Sequence, residues 1–119
     1  MKIYSFENLV VWKEARVLKV EIYKLSYLFP DFEKFGLTNQ IRRSAVSITA
    51  NIAEGSGRTT INDQNNFYRI AFSSCLETLD HLITALDLEY IEESKYIELR
   101  TQMDKVTFLL QRLKSGNLK

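Results

Sequence analysis

The residues best suited to chemistry are four arginines in the middle of the chain, Arg42, Arg43, Arg58 and Arg69. An arginine guanidinium presents a planar fork of N–H donors that matches phosphate oxygens. Three more basic residues, spaced three positions apart on one predicted helix, extend this set: Lys13, Arg16 and Lys19. The set predicts a basic surface that contacts RNA, DNA or an acidic partner.

The same region also supports a purely structural interpretation, which the pattern favours. Asn51 and Glu54 lie three residues apart on one side of a predicted helix, and Arg58 follows Glu54 by four, a spacing that allows an ion pair. Asn51 lies beside the apolar stripe, so we expect it to be partly buried and hydrogen-bonded. Gly55 and Gly57 should end the helix, because glycine most easily adopts the left-handed conformation. These four residues, Asn51, Glu54, Gly55 and Gly57, therefore form a predicted structural motif.

Residue sets for catalysis or for metal binding are missing from the sequence. His81 is the one histidine, and with Glu77 four positions earlier it forms at most a weak metal-binding pair. Di-iron bundles need two Glu-x-x-His motifs, and structural zinc sites need several cysteines and histidines. Neither a G-x-S-x-G nucleophile motif nor a G-x-x-x-x-G-K-[ST] phosphate loop occurs. We predict that the protein is not an enzyme and has no cofactor and no resident metal.

Composition restricts the class of protein without identifying a partner. The chain has 119 residues, is 45% hydrophobic and carries a net charge of +1, so bulk charge gives no sign of nucleic-acid binding. Charge is uneven, since residues 61–99 hold two basic and eight acidic side chains. The single cysteine, Cys75, cannot form an internal disulfide and is expected in the core. No signal peptide and no membrane span are evident, so we expect a cytoplasmic protein.

The elements that must position these residues follow from hydrophobic periodicity. Apolar residues recur at spacings of three and four in four segments, which is typical of amphipathic helices. The stripes are Val11, Ala15, Leu18, Ile22, Leu25 and Phe29; Leu37, Ile41, Ala45, Ile48 and Ile52; Tyr68, Phe72, Cys75, Leu79, Leu82 and Leu86; and Tyr96, Leu99, Met103, Val106, Leu110 and Leu113. Short connections predict an all-α, antiparallel up-down-up-down four-helix bundle, with residues 1–119 as one domain.

The predicted helix ends rest on local signals. Phe29-Pro30 should end the first helix, because the residue before proline is driven out of the α region. Thr59 or Thr60 should cap the third helix. A break near residues 90–94 should precede the fourth helix, and Gly116 should end it.

A second apolar face appears on two of the predicted helices. At about 100° per residue, Val46, Ala50 and Ala53 fall almost opposite the stripe of the second helix. The first helix carries additional apolar residues away from its stripe, among them Val10, Val17 and Leu28. A lone bundle needs one apolar stripe per helix, so these faces predict self-association through Val46, Ala50 and Ala53. The alternative is that the alanines merely favour helix formation.

Two parts of the middle segment resemble a known family signature. Residues 35–48 (FGLTNQIRRSAVSI) and 51–58 (NIAEGSGR) are similar to the signature of the four-helix bundle proteins found in intervening sequences of bacterial 23S rRNA genes, also called S23 ribosomal proteins. Residues 9–12 (LVVW), Phe29-Pro30 and residues 67–71 extend the resemblance over nearly the whole chain. One departure is Thr49, where relatives often have proline; threonine restores a backbone donor and should leave the helix less kinked.

The resemblance implies a four-helix bundle that assembles as a ring-like homo-oligomer, commonly a pentamer. It also implies kinship with accessory variability proteins of diversity-generating retroelements, which engage reverse transcriptase and nucleic acid through basic surfaces. The family supplies no defined activity for the intervening-sequence branch. Two functions therefore stay open: an oligomeric scaffold that binds RNA or DNA, and an adaptor that binds a protein partner without nucleic acid.

Overall fold

The computed structural model describes residues 1–114 and contains the four predicted helices: α1 (Val10–Ser26), α2 (Leu37–Ser56), α3 (Ile61–Asp87) and α4 (Glu93–Lys114). Two short 3-10 segments, Ser5–Asn8 and Asp31–Glu33, precede α1 and α2. Each helix packs on its neighbours in sequence, and α1 also packs on α4, which closes the bundle. The predicted all-α four-helix bundle is confirmed.

The helix ends follow the local signals with one difference. The Thr60 hydroxyl accepts a hydrogen bond from the backbone N–H of Asp63 at 3.1 Å, so Thr60 is the N-cap of α3. Helix α1 ends at Ser26, earlier than predicted. Phe29 nevertheless stays buried, because a turn through Leu28 returns it to the core. The predicted stop at Gly116 lies outside the described residues.

The core is built from the predicted stripes of α1, α2 and α4. Leu18, Ile48 and Val106 are almost completely buried, and they belong to one continuous apolar cluster. Leu37 and Tyr96 lie at the margin of that cluster and are only partly buried. Burial of these stripes is the main favourable contribution to folding.

The predicted stripe of α3 is partly wrong. Leu79 is only partly buried and lies outside the apolar cluster, and Phe72 and Leu86 are at its margin. Tyr68, Cys75 and Leu82 of the predicted stripe are buried, and the rest of the buried face consists of smaller residues about one position earlier in each turn: Ala71, Ser74, Thr78 and Ala85. The sequence pattern selected the larger apolar side chains, whereas a close approach of α2 and α3 favours small ones.

The contact between α2 and α3 is more extensive than any other helix pair in the bundle. Ser44 and Thr78 are fully buried in it, and their hydroxyl oxygens lie 2.8 Å apart. One turn further along α2, the hydroxyls of Ser47 and Ser74 are also 2.8 Å apart. Small hydroxyl side chains allow the helices to approach and satisfy one another's polar groups within the contact.

Gly55 and Gly57 act differently from the prediction that both end α2. Gly55 is buried inside the helix, where an added Cβ would lie 2.7 Å from a ring carbon of Tyr68, so its role is to permit close packing on α3. Gly57 follows the helix with φ −88°, in the right-handed region. The left-handed stop expected here is absent, because α2 leads directly into the turn before α3.

Candidate functional site

The two adjacent arginines, Arg42 and Arg43, point to opposite sides of α2. Arg42 Nε donates to Ser26 Oγ at the end of α1, at 2.7 Å. Arg43 Nη2 is 2.6 Å from Glu77 Oε2 on α3. Adjacent residues on a helix diverge by about 100°, so the two guanidinium groups serve different helix contacts.

Arg58 and Arg69 occupy two further positions. Arg58 pairs with Glu54 at 3.1 Å, as the spacing predicted, and its guanidinium lies over the Phe67 ring. Arg69 is exposed on α3, and no hydrogen bond or ion pair joins its side chain to another residue within residues 1–114. Arg58 therefore stabilises the turn between α2 and α3, while Arg69 is available for a partner.

Of the three basic residues of α1 in the predicted set, two contact other side chains of the protomer and the third is exposed. Lys19 Nζ donates to Thr49 Oγ1 of α2 at 3.3 Å, and the Arg16 guanidinium lies over the ring of Trp12. Lys13 is exposed, with no side-chain partner within residues 1–114. The seven predicted basic residues thus do not form one continuous surface, and most of them make contacts inside the protomer.

Asn51 lies beside the contact between α2 and α3. It is partly buried, and its Nδ2 donates to the carbonyl oxygen of Ser47 at 2.8 Å and to the Ser47 hydroxyl at 3.0 Å. Ser47 in turn is bonded to Ser74 of α3. Asn51 therefore extends the hydroxyl network between the helices, which is a structural role.

The predicted oligomer contacts lie on the outside of the bundle. Val46 is 40% exposed, Ala50 is exposed and Ala53 is partly buried. The Lys19–Thr49 and Arg42–Ser26 bonds set α1 antiparallel to α2 and place Val46 level with Ile22. The outer face of α2 is defined by Val46, Ala50 and Ala53; Val17 and Val20 are exposed on the outside of α1.

Glu77 and His81, which the sequence suggested as a weak metal-binding pair, form a cluster of charged groups with Arg43. Glu77 Oε2 lies 2.6 Å from Arg43 and 3.4 Å from His81 Nε2, so its charge is already balanced by Arg43. Within residues 1–114, no group of three or more His, Cys, Asp and Glu side chains could hold a metal ion. Burial raises the pKa of the Cys75 thiol to about 12, which makes it unreactive as a nucleophile.

The sequence interpretation missed a cluster of exposed apolar residues at the connection between α1 and α2. Tyr27, Leu28, Phe32 and Phe35 are all largely exposed there, and Arg42 lies beside them, against the Tyr27 ring. Their signal in the sequence is the density of aromatic residues around Pro30. None of the helices within residues 1–114 is both long and apolar enough to cross a lipid bilayer.

Comparisons with known proteins agree on one family. The family model of the 23S rRNA-intervening sequence protein matches residues 7–112. A solved structure from Bacteroides thetaiotaomicron VPI-5482, a protein with unknown function from the S23 ribosomal protein family, is similar with a TM-score of 0.82 and 28% identity, over 88% of this chain and 98% of that one. The comparison with curated proteins found no match. The chain therefore belongs to the family of 23S rRNA-intervening sequence proteins.

Proposed function

We propose that this protein is a non-enzymatic scaffold that works as a homo-oligomer, with the outer face of α2 as its contact surface. The observation that carries the proposal is the exposure of Val46 and Ala50, with the partly buried Ala53 beside them, on the side of α2 away from the core. Small side chains at these positions allow the backbone of a second copy to approach closely. Val17 and Val20 of α1 are exposed as well, among charged side chains that include Lys13, Arg16 and Glu21.

The resemblance described above favours a ring, and specifically a pentamer. A ring needs two different surfaces that meet head to tail, because a patch that binds only itself gives a closed dimer. The outer side of α3 is a suitable second surface, since Leu76 is exposed there beside Asp80 and Ser73. The outer faces of α2 and α3 belong to neighbouring helices, so they offer two different surfaces for a head-to-tail ring.

The proposal is tested by the mass of the purified protein at micromolar concentration, measured by multi-angle light scattering and native mass spectrometry. We expect an oligomer, with five copies if the ring is a pentamer. Ala50→Glu should dissociate it, because the carboxylate would lose its hydration in the contact. The matched control is Thr101→Glu on the outer side of α4, which should leave the mass unchanged. A wild-type protein that stays monomeric would contradict the proposal.

Nucleic-acid binding is a second candidate, favoured by exposed basic residues on the outside of the bundle. Lys13 and Arg69 are exposed and have no side-chain partner within residues 1–114. Phosphate contacts weaken steeply with salt, because bound counterions are released. An RNA and DNA mobility-shift assay at two salt concentrations should therefore show binding that falls with salt and that Lys13→Gln with Arg69→Gln reduces.

A negative mobility-shift result at low salt would leave an adaptor function without nucleic acid, in which the oligomer presents its outer faces to a protein partner. A reverse transcriptase-type protein is the partner class that the resemblance suggests. Arg42 and Arg43 are unsuitable reporters of nucleic-acid contact, because their guanidinium groups support helix contacts. Replacing them tests the fold as much as binding.

A further inference from the structure

A small cavity of about 200 Å³ opens between the end of α1 and the start of α2. Its polar lining includes Arg42, Lys34 and Thr38, and its apolar lining includes Tyr27 and Phe29. Sites for drug-sized ligands are larger, about 300–1,000 Å³. This cavity therefore has room for one small polar group and not for a whole cofactor.

Arg42 is held in place in a way that leaves its outer donors free. Its Nε donates to Ser26 Oγ at 2.7 Å, and that hydroxyl donates onward to the backbone carbonyl of Tyr23 at 2.7 Å. The guanidinium carbon lies 4.8 Å from the ring centre of Tyr27 and 5.2 Å from that of Tyr23. No carboxylate within residues 1–114 pairs with Arg42, so its two terminal NH₂ groups remain available. A fixed guanidinium with free terminal donors is prepared for a two-pronged contact with an oxyanion.

Thr38 supplies an independent indication of a ligand. The residue is only 8% exposed, yet its hydroxyl makes no hydrogen bond to any described residue. Every completely enclosed side-chain nitrogen or oxygen among the described residues does have a partner. The Thr38 hydroxyl must therefore retain access to solvent, and the cavity that it lines provides that access. Within the cavity this hydroxyl is free to bond a ligand oxygen in place of water.

The charges around the cavity favour a single negative charge. Arg42 and Lys34 contribute two positive charges, and Asp31, which also lines the cavity, contributes one negative charge. Lys34 is exposed and makes no ion pair within residues 1–114. Thr38 lies in the first turn of α2, where the Glu33 carboxylate already meets the positive end of the helix dipole, because its Oε1 accepts from the Leu37 N–H at 3.1 Å. The formal balance of +1 suits a carboxylate or a singly charged phosphate ester.

We propose that this cavity binds one oxyanion, a carboxylate or a phosphate ester, attached to a flat ring that stacks on Tyr27. Arg42 binds two of its oxygens, Thr38 donates a hydrogen bond to it, and Lys34 adds charge at the entrance. Tyr27 is 73% exposed, so one face of its ring is open to a planar group. All these residues belong to one protomer, so the site is complete without a second copy.

The test is ligand-observed saturation-transfer NMR with phenyl phosphate, benzoate and benzyl alcohol at constant ionic strength. Both anions should receive saturation from the protein, and the neutral alcohol should not. Their relative affinities identify which oxyanion the site prefers. Arg42→Gln should weaken anion binding at least about tenfold, because it removes two charge-assisted hydrogen bonds. Thr38→Val should weaken it about threefold, since one neutral donor is lost.

Two further variants separate a loss of anion binding from a loss of folding. Lys34→Gln changes an exposed side chain whose one contact is with the ring of the next residue, Phe35, so it should weaken binding with no effect on the circular dichroism spectrum. Arg69→Gln removes an exposed arginine outside the cavity and should leave binding unchanged. Equal saturation of benzyl alcohol, or equal binding of the anions to wild type and to both Arg42→Gln and Lys34→Gln, would overturn the inference.

Discussion

The contact between α2 and α3 and the contact between α1 and α4 are stabilised in different ways. Between α2 and α3, small residues and hydroxyls are buried, and Gly55 allows Tyr68 to approach the backbone. Between α1 and α4, the polar contacts are ion pairs near the surface, such as Glu14–Lys105 at 2.9 Å. The first contact depends on shape, since each added atom meets a neighbour. The second depends on charge and tolerates change.

The small residues of α2 also bear on the proposed oligomer contact. Because α2 uses small residues on its α3 side and again on its outer face, it carries two narrow surfaces suited to close helix packing. One of them is occupied within the protomer, and the other is exposed. The outer face of α2 is the counterpart of the α2–α3 contact, which supports its proposed role in assembly.

The largest expected effect concerns the buried side of α3. Leu82→Ala should lower the free energy of unfolding by about 2–5 kcal/mol, because Leu82 is fully buried and truncation leaves a cavity. Leu79→Ala, one turn away and only partly buried, should cost about 1 kcal/mol. Urea denaturation followed by circular dichroism measures both. If both variants lowered the free energy of unfolding equally, Leu79 would be as buried as Leu82, and α3 would be rotated about its axis.

The second prediction concerns close approach at Gly55. Gly55→Ala should destabilise the protein by about 1–3 kcal/mol, since the added Cβ would collide with the Tyr68 ring and the gain in helix propensity is smaller. Gly57→Ala is the matched control, because its Cβ would meet only the Glu54 carbonyl oxygen at an ordinary 3.6 Å. The rate at which a thiol reagent labels buried Cys75 provides a second measure of opening between α2 and α3. If the two variants had the same stability, close packing between Gly55 and Tyr68 would not be what limits the side chain at position 55.

The third prediction tests the buried hydroxyl network. Thr78 Oγ1 lies 2.8 Å from both Ser44 Oγ and the Ser74 carbonyl oxygen, so its single proton serves one acceptor at a time. Thr78→Val should cost about 1–2 kcal/mol, because a buried hydrogen bond is lost. The double variant with Ser44→Ala should cost less than the sum of the single changes, since no hydroxyl is left without its partner. Strict additivity in this cycle would show that the two hydroxyls are not coupled.

The smallest expected effect is at the contact between α1 and α4. Lys105→Ala should cost only about 0.2–1 kcal/mol, because the Lys105–Glu14 pair is exposed and screened by water. The loss should shrink further when salt is raised to 1 M. Thermal unfolding at two salt concentrations measures it. If Lys105→Ala lowered the free energy of unfolding by more than Thr78→Val, the α1–α4 contact would be the more sensitive of the two to substitution.

Much of the fold can be predicted from the sequence, whereas little of the candidate site can. The stripes through Leu18, Ile48 and Val106 identify the buried faces of three helices, because large apolar side chains dominate there. In α3 the same reasoning selected Leu79 in place of Thr78, since hydrophobicity ranks leucine above a hydrogen-bonded threonine. The roles of Arg42 and Arg43 were also beyond the pattern, because a partner on another helix is not encoded in local spacing.

The number, order and approximate ends of the helices follow from the chain alone, because the period of apolar residues and the capping residues act over one or two turns. Family membership follows from the same local runs of residues. The orientation of α3, the close packing at Gly55 and the oxyanion cavity beside Arg42 arise only when the helices come together. These features depend on distances between residues far apart in sequence, and tertiary packing sets those distances.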